Sequence, residues 1–306
     1  MISVVTPTYN RAHMLHSLFE SLMRQTVHDF EWIIVDDGST DETRSICTKF
    51  AESSDFLVSY LWQENSGKHV AINAAARIAR GEWFFIVDSD DYLTDTSIEL
   101  NARYLSQIKD NPEFAGVSGV RARADGSFLV GAHGETVKDL PTKIQRRFAL
   151  KYIDATPQDY RTTFTMPGDR AEVVRTSLVQ RFPFPSFPGE RFVSEFYLWQ
   201  TISDLDLKLR WFNEPTYIAE YQDDGLTRNM KSITRTSPLG KSFVDNFTLA
   251  SGAPVSEKLR SAVNYTRYGR LGGKRISELA RESNNKLLFL LGLPLSLITP
   301  IKGDDA

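Results

Sequence analysis

The amino-acid sequence predicts an α/β fold, with a mixed, mainly parallel sheet flanked by helices (Rossmann-like) and a helical appendage at the C-terminus. Two observations predict this class. Over the first 120 residues, short apolar runs that suit strands alternate with amphipathic stretches that suit helices. Polar clusters stand where these apolar runs end, and this edge of an open α/β sheet is where ligands bind.

Five strands and four helices are predicted in this first part of the chain. Runs of β-branched and aromatic residues predict the strands, over 2–6, 31–35, 56–62, 83–87 and 114–120. Helical spacing of apolar residues, or an Ala-rich composition, predicts the helices, over 12–24, 39–50, 69–80 and 96–109. Ser39 with Glu42, and Thr96 with Glu99, have the spacing of a capping box. Gly81 stands just past the third helix and is expected to end it.

The later chain gives weaker signals. The stretch 121–189 holds Gly, Pro and many polar residues with short strand-like pieces, whereas 192–202 is predicted to be a helix and 207–212 a strand. Beyond these elements the sequence becomes basic and then leucine-rich. We therefore expect a main domain over 1–225 and a helical extension over 226–306.

The extension allows two interpretations. A basic segment followed by the leucine-rich run 287–295 is typical of a chain that lies on an anionic membrane surface. The same composition suits a pair of helices packed on the main domain or across a dimer interface. The run is too short for a membrane-spanning helix.

Composition excludes several classes of protein. The 36 basic and 39 acidic residues give a net charge of −3, so the charge of the whole chain does not favour binding to nucleic acid. The single cysteine, Cys47, cannot form an intramolecular disulfide, and no Cys/His cluster resembles a zinc site. A reducing compartment is expected. The first residues are typical of a strand and not of a signal peptide, which favours a cytoplasmic protein.

Asp88-Ser89-Asp90-Asp91 follows the fourth predicted strand. Carboxylates two residues apart at a strand end can converge on one Mg²⁺ or Mn²⁺ ion, which prefers oxygen ligands and completes its shell with phosphates. Such an ion neutralises a departing diphosphate. The alternative is an acidic turn that caps the next helix, with Asp91 near the positive helix end. The neighbouring polar clusters favour the cation site.

Other strand ends carry further candidate ligand contacts. Asp37, in the pair that begins with Asp36, could accept a hydrogen bond from a nucleobase, form part of a phosphoacceptor site of the response-regulator kind, or belong to a simple turn. Tyr9 could stack on a base or pack in the core. Lys68 could pair with a phosphate or lie in solvent. Asn73 has the alternative of an ordinary amide on a helix surface.

Taken together, these clusters resemble the family 2 glycosyltransferases of the GT-A fold. Order and spacing agree over roughly the first hundred residues, which is a more specific match than a lone motif. The segments that carry the resemblance are 4–11, 32–41, 65–73 and 81–91.

The resemblance implies an inverting transferase that moves a sugar from a nucleotide-sugar, expected to be a UDP-sugar, to an acceptor hydroxyl. Residues 1–120 would bind the nucleotide-sugar and 121–225 the acceptor. The implied donor-site roles are base binding for Pro7 and Tyr9, the uracil-like edge for Asp37, ribose and diphosphate for Lys68 and Asn73, ribose or sugar for Asp88, and a Mn²⁺ or Mg²⁺ ligand for Asp90.

Inversion by direct displacement needs a carboxylate that takes the proton of the acceptor hydroxyl. The family carries this base at a helix start beyond the sheet, often within an acidic pair. Glu195 is the chosen residue, and Phe196 stands where the second acid often appears. Glu190 is the fallback base, with surface pairing to Arg191 as its alternative. Trp199 is expected either to carry a sugar ring of the acceptor or to pack in the core.

Processive synthases of this family carry a Gln-x-x-Arg-Trp signature and several membrane spans. Here Arg210-Trp211 lacks the preceding Gln, so a single-addition transferase is expected, in the synthesis of cell-surface polysaccharide or glycolipid. Its acceptor would be a sugar or lipid-linked sugar, and the enzyme would be cytoplasmic or peripheral on the inner face of the cytoplasmic membrane. Asp223 and Arg228 lie in a segment that resembles one that closes over the donor, where they could contact metal or phosphate, and a surface turn is the alternative.

Two alternatives remain at this point. A sugar nucleotidyltransferase would need a Gly-rich basic loop after the first strand, where this chain has Pro7-Thr8-Tyr9-Asn10-Arg11. A nucleotide-sugar-binding protein without turnover is compatible with Phe196 at the position of the second acid.

Overall fold

The computed structural model describes residues 1–130, 135–219 and 226–298, without the side chains of residues 226–229. The strands are Ile2–Thr8 (β1), Phe30–Asp36 (β2), Leu57–Trp62 (β3), Trp83–Ile86 (β4), Tyr92–Leu93 (β5), Phe114–Ala122 (β6), Tyr152–Ala155 (β7), Arg170–Arg175 (β8) and Lys208–Ile218 (β9). The helices are Leu15–Met23 (α1), Thr43–Ser53 (α2), Lys68–Ile78 (α3), Ser97–Ser106 (α4), Thr142–Phe148 (α5), Pro157–Thr162 (α6), Thr176–Arg181 (α7), Phe196–Asp204 (α8), Leu226–Thr236 (α9), Pro238–Ala250 (α10), Val255–Leu271 (α11), Ile276–Glu282 (α12) and Lys286–Ile298 (α13).

The strands form one mixed sheet in the order β3-β2-β1-β4-β8-β6-β9-β5, with β7 also paired to β9. β1 runs parallel to β2, in register from Ile2 opposite Phe30 to Thr8 opposite Asp36, and also parallel to β4. β8 lies antiparallel between β4 and β6. The mixed α/β class with C-terminal helices is confirmed. The antiparallel β8 was not predicted, because its flanking sequence carries no clear periodicity.

Each face of the parallel strands is covered by helices, because alternate side chains point to opposite faces. On one face, Val4 and Phe85 belong to a buried cluster that includes Leu18 of α1 and Phe50 of α2. On the other face, α3 packs on β1 and β2 and buries four alanines. Full burial of each large apolar side chain stabilises the fold by roughly 1.5–3 kcal/mol. The sheet is therefore a rigid platform for the loops at its edge.

Both predicted capping boxes are wrong. Ser39 Oγ accepts a hydrogen bond from the Asn10 backbone N–H at 2.8 Å, and α2 begins four residues later. Glu99 accepts from the Thr26 hydroxyl at 2.8 Å, so it does not reach back to its own helix start. In both cases a partner distant in sequence takes the side chain that the local pattern assigned to the helix.

Gly81 does not end α3, which stops at Ile78 with Ala79 as its C-cap. A side chain at Gly81 would lie 2.6 Å from the backbone nitrogen of Ser3. The Gly81 N–H instead donates to Ser3 Oγ at 2.9 Å. Glycine is required here by the close approach of the chain to β1.

The chain forms two compact units: Met1–Pro183 with Leu205–Gln222, and Phe184–Asp204 with Asp223–Ala306. The first contains the whole sheet. The second contains α8 and the helices after the sheet, although the sequence analysis placed the region of α8 in the main domain.

The second unit has a hydrophobic core of its own. In it α11 packs against α10 and α13 around a cluster that includes Tyr265, Leu279 and Phe289. Gly292 of α13 lies so close to Ala262 of α11 that an added Cβ would be 2.8 Å from the Ala262 Cβ. Within the described residues, no helix has the length and apolar character needed to cross a membrane.

His69 is a buried titratable group in the first turn of α3. It is 2% exposed, and neither ring nitrogen meets a hydrogen-bond partner within the described ranges. Burial lowers the pKa of the His69 imidazole to about 4, although the nearby charge of Asp37 raises it. The His69 imidazole is therefore neutral in the folded protein at pH 7.

Between pH 7 and pH 5 we expect His69 to lower the free energy of unfolding, because the unfolded chain protonates His69 near its ordinary pKa of 6.5 while the folded chain keeps it neutral. The unfolded state binds the extra proton in this window, so His69 accounts for a loss of about 2 kcal/mol at pH 5. Urea unfolding at both pH values measures it. His69→Leu removes this contribution, so the change in the free energy of unfolding from pH 7 to pH 5 should be less destabilising in the variant than in the natural chain by about 2 kcal/mol. The same change in both proteins would contradict the assignment.

Candidate functional site

Four loops meet at the carboxyl edge of the parallel strands, and hydrogen bonds join them. Asn10, after β1, has a left-handed backbone with φ of 52°. Its Oδ1 accepts from the Thr40 N–H at 2.8 Å, and its own N–H donates to Ser39 in the loop after β2. The Ala12 N–H donates to Asp41 Oδ2 at 3.0 Å. The first two loops are therefore held as one surface.

Asp37 fixes the loop before α3 to the end of β2. It is buried, and it accepts from Gln63 Nε2 at 2.7 Å, from the Ser66 N–H at 2.8 Å and from the Gly67 N–H at 2.8 Å. Gly67 has a φ of 98°, a conformation that favours glycine. Three of the roughly four acceptor positions of a carboxylate are thus used internally, and about one is left for a ligand.

The end of β4 carries a close ion pair. Lys68 Nζ, at the start of α3, lies 2.5 Å from Asp88 Oδ1, and each side chain is about a quarter exposed. Burial raises the pKa of the Asp88 carboxyl, but Lys68, Arg121 and Arg11 together outweigh it and leave that pKa below its ordinary value. Asp88 is therefore charged at neutral pH, beside a cation that faces the same edge.

Asp90 forms a second ion pair at this edge, with Arg11 from the loop after β1. Arg11 Nη1 lies 2.8 Å from Asp90 Oδ2, and both side chains are about one-fifth exposed. The other carboxylate oxygen of Asp90 receives no hydrogen bond from the part of the chain that is described. Sequence reasoning assigned no role to Arg11, since its partner lies 79 residues away.

The acids after β4 fit a divalent cation that is shared with a phosphate ligand. The described residues contain no group of three or more His, Cys, Asp or Glu side chains placed to hold a metal by themselves. Mg²⁺ is usually held by one or two carboxylates together with substrate phosphates, so a three-acid cage is not required. Asp90 would offer one such carboxylate, since it is partly exposed and one of its oxygens receives no hydrogen bond from the described residues.

Asp91 is buried inside the unit and does not cap the next helix. Tyr217, on β9 and fully buried, donates its hydroxyl to Asp91 Oδ2 at 2.7 Å and accepts from the Asp88 N–H at 3.0 Å. The Arg121 guanidinium stacks over the Tyr217 ring, 4.2 Å from its centre. Burial and then the charge of Asp88 raise the pKa of Asp91 to about 7. Tyr217 therefore positions the backbone of the acidic turn.

Sequence reasoning missed Tyr217 and Arg121. Tyr217 lies 126 residues from Asp91, and the predicted strand over 207–212 stops short of it, whereas β9 continues to Ile218. No local pattern marks either residue, because the sheet topology alone brings β6 and β9 to this point.

Replacing Tyr217 with phenylalanine is expected to lower the free energy of unfolding by about 2 kcal/mol, because the Asp91 carboxylate and the Asp88 N–H each lose one hydrogen bond. Urea unfolding measures this change. Tyr9→Phe removes the same atom from a ring that is 47% exposed and should change stability by less than about 0.5 kcal/mol. Equal effects of the two substitutions would show that the Tyr217 hydroxyl does not hold the turn.

The remaining predicted donor residues lie on the same elements. Tyr9 directly follows β1 and exposes nearly half of its surface. Pro7 is buried within β1 and offers little surface to a ligand. Asn73 is half-buried in the second turn of α3. The ligand contacts assigned to these three residues stay predictions.

The predicted acceptor residues belong to the second unit. Both carboxylate oxygens of Glu190 accept from the start of α10, from the Leu239 and Gly240 N–H groups, each at 2.7 Å. Glu195 stands immediately before α8 and is half-buried, as is Trp199 within that helix. Glu190 thus stabilises a helix N-terminus, whereas Glu195 occupies a helix start as the family pattern implies.

Two further motifs are the pair Arg210-Trp211 and the segment that contains Asp223 and Arg228. Arg210 of β9 pairs with Asp154, Nη2 to Oδ2 at 2.8 Å, and Trp211 is buried with its Nε1 donating to a backbone carbonyl. Both therefore serve the sheet. Asp223 lies outside the described residues, as does the side chain of Arg228.

Comparison with known proteins places these features in context. The family model "Glycosyl transferase family 2" matches residues 3–167. The glycosyltransferase GlyG of Streptococcus pneumoniae serotype 4 is 38% identical over 136 residues, which is 44% of each chain. The poly(ribitol-phosphate) beta-N-acetylglucosaminyltransferase TarS of Staphylococcus aureus is 32% identical over 163 residues, covering 50% of this chain and 28% of that protein. The chain spans less than half the length of these relatives.

Two solved structures share the fold. Staphylococcus aureus TarS in complex with UDP-GlcNAc has a TM-score of 0.56 at 18% identity, covering 97% of this chain and 80% of that one. The mannosyltransferase PcManGT from Pyrobaculum calidifontis, in complex with GDP-Man and Mn²⁺, has a TM-score of 0.56 at 18% identity, covering 98% and 81%. The likeness at this identity concerns the fold.

Proposed function

This chain belongs to glycosyl transferase family 2, and we propose that it is an inverting, metal-dependent enzyme that moves the sugar of a nucleotide-sugar to an acceptor hydroxyl. The observation that carries the proposal is the paired arrangement at one sheet edge, where Lys68 meets Asp88 and Arg11 meets Asp90. Two cations and two carboxylates there suit a ligand that brings both a diphosphate and a divalent ion.

The donor roles follow from this arrangement. Asp90 would hold Mn²⁺ or Mg²⁺, since one of its oxygens receives no hydrogen bond from the described residues, and Asp88 would face the ribose or sugar. An ion held there would supply neutralisation of the charge that develops on the departing nucleoside diphosphate. Arg11 and Lys68 are placed to exchange their carboxylate partners for phosphate oxygens, because both cations lie at the partly exposed edge.

The nucleoside binds between Tyr9 and Asp37, with Pro7 behind the base and Asn73 near the ribose and diphosphate. An exposed ring beside a buried carboxylate offers stacking and one hydrogen-bond acceptor for a base N–H. Uracil is the proposed base, and a UDP-sugar the proposed donor. The relative TarS is named a poly(ribitol-phosphate) beta-N-acetylglucosaminyltransferase, and this name supports transfer to a polysaccharide or glycolipid.

Glu195 is the proposed general base, and Trp199 the proposed platform for the acceptor sugar. Both oxygens of Glu190 are held by the N–H groups of Leu239 and Gly240, which leaves that carboxylate poorly suited to take a proton. Addition of one sugar per encounter is proposed, since Arg210 and Trp211 are engaged within the sheet. The enzyme acts as a peripheral protein at the inner face of the cytoplasmic membrane, on a sugar or lipid-linked sugar.

Calorimetric titration with UDP and with GDP, each with and without Mn²⁺, tests the donor half. UDP should bind at least about tenfold more tightly than GDP, and Mn²⁺ should strengthen UDP binding by about tenfold or more, because an ion held by Asp90 would offset the charge of the diphosphate. Equal affinity for the two nucleotides would reject uracil as the base. Binding of UDP that Mn²⁺ leaves unchanged would reject the metal role.

A further inference from the structure

Helix α13 has two stripes of residues on different sides, one buried and one exposed. Phe289, Gly292 and Ser296 recur at helical spacing and are buried in the second unit, where α13 packs on α11. A second stripe recurs at the same spacing and is exposed: Leu287, Leu290, Leu291, Leu295 and Ile298, each between 52 and 75% exposed. The first stripe accounts for the packing of α13 in its unit. The second stripe, here called the outer leucine face, presents its side chains to solvent.

The outer leucine face is unusual for a surface exposed to water. Large aliphatic side chains occur singly on most protein surfaces, whereas contiguous apolar patches mark a site of interaction. Five such side chains follow one another along a single helix of thirteen residues. Covering each side chain fully would contribute roughly 1.5–3 kcal/mol, so an apolar partner is strongly favoured.

The charge of the surrounding segment selects the chemistry of that partner. Residues 226–298 contain twelve lysines and arginines and four acids, whereas the whole chain contains 36 basic and 39 acidic residues. Arg281 and Lys286 stand directly before the outer leucine face, and Lys286 Nζ donates to the Arg281 carbonyl at 2.6 Å. A symmetric dimer through this face would bring two basic segments together. An anionic surface would instead neutralise them.

We infer that the outer leucine face of α13 docks on the surface of an anionic lipid bilayer, with its leucines in the acyl boundary and its basic flank among the headgroups. The helix lies in the plane of the interface. Its thirteen residues span about 20 Å, which is less than the roughly 30 Å of the hydrocarbon core. The inference gives the proposed peripheral location a defined surface and a defined lipid chemistry.

Sedimentation of the full chain with phosphatidylcholine vesicles, with and without about one-third phosphatidylglycerol, tests the inference. The chain should bind the anionic vesicles, and binding should weaken as salt is raised. The double substitution L290E/L291E should lower the partition coefficient by at least about tenfold, since two leucines leave the acyl boundary and two negative charges are added. Leu57→Glu with Leu150→Glu is the matched control on exposed leucines of the first unit, and it should bind as the natural chain does.

Three results would overturn the inference. They are absence of binding to anionic vesicles, equal binding by L290E/L291E, and a dimer in light scattering that L290E/L291E converts to a monomer. Circular dichroism shows whether the double variant keeps its helices. We expect it to keep them, because Leu290 and Leu291 are exposed and lie outside the buried stripe. Vesicle binding needs neither donor nor acceptor, so its failure leaves the proposed transferase function untouched. Conversely, L290E/L291E should release UDP from a soluble donor at the rate of the natural chain.

Discussion

Replacing Glu195 with glutamine is expected to slow sugar transfer by about 10²–10⁴-fold, the usual contribution of a positioned general base. The amide cannot take the proton of the attacking hydroxyl, although it keeps the size of the side chain. Affinity for UDP should change by less than about twofold, because the donor contacts are assigned to other residues. The measurement is the rate of UDP release from a UDP-sugar, combined with calorimetric titration of UDP.

Glu190→Ala is the matched comparison for Glu195→Gln. It removes the carboxylate that accepts from the Leu239 and Gly240 N–H groups, so it should lower the free energy of unfolding by about 0.5–2 kcal/mol. Its effect on the rate of transfer should be small at a temperature where the protein is folded. The reverse pattern, with Glu195→Gln active and Glu190→Ala inactive but folded, would assign the base to Glu190.

Replacing Asp90 with asparagine is expected to lower UDP release by about a thousandfold, because several kcal/mol of charge neutralisation at the diphosphate depend on the bound ion. An amide oxygen is a weaker ligand for a hard cation than a carboxylate. The strengthening of UDP binding by Mn²⁺ should disappear in the same variant, which separates a metal ligand from a residue that only supports the fold.

Asp110→Asn is the control for Asp90→Asn, because Asp110 is an exposed acid away from the strand ends. It should keep both the rate and the metal dependence. If Asp90→Asn keeps its Mn²⁺ dependence, the cation is held elsewhere and Asp90 serves mainly as the partner of Arg11.

Much of the fold follows from patterns that are local in sequence. β1 to β4 lie within two residues of their predicted bounds, because apolar runs broken by polar clusters mark buried parallel strands well. β8 and the last part of β9 were missed, because they take their places in the sheet by pairing with distant strands. The two predicted capping boxes are wrong for a related reason. Ser39 accepts a hydrogen bond from Asn10 and Glu99 accepts one from Thr26, and both partners are distant in sequence.

In the candidate site, too, local sequence patterns predict some features, and contacts between distant residues determine others. Tyr9, Asp37 and Asp90 follow the neighbouring parallel strands β1, β2 and β4, and Lys68 pairs with Asp88 at the same edge, since parallel strands end together. The ligand contacts assigned to these residues stay predictions. The sequence could not reveal what each carboxylate already binds. Asp37 accepts hydrogen bonds from two backbone N–H groups of the loop before α3. Tyr217, on β9, accepts a hydrogen bond from the backbone N–H of Asp88 in the acidic turn. These contacts depend on residues far apart in the chain.

Release of nucleoside diphosphate from a panel of UDP- and GDP-sugars, with Mn²⁺ and with sugar or lipid-linked acceptors, tests the central claim most directly. We expect the natural chain to release UDP from at least one UDP-sugar, and Asp90→Asn and Glu195→Gln to lose at least 99% of that rate, in line with the lower limit of about 10²-fold for a general base. Binding of UDP without release from any donor would indicate a nucleotide-sugar-binding protein. Full activity in both variants would contradict the assigned site.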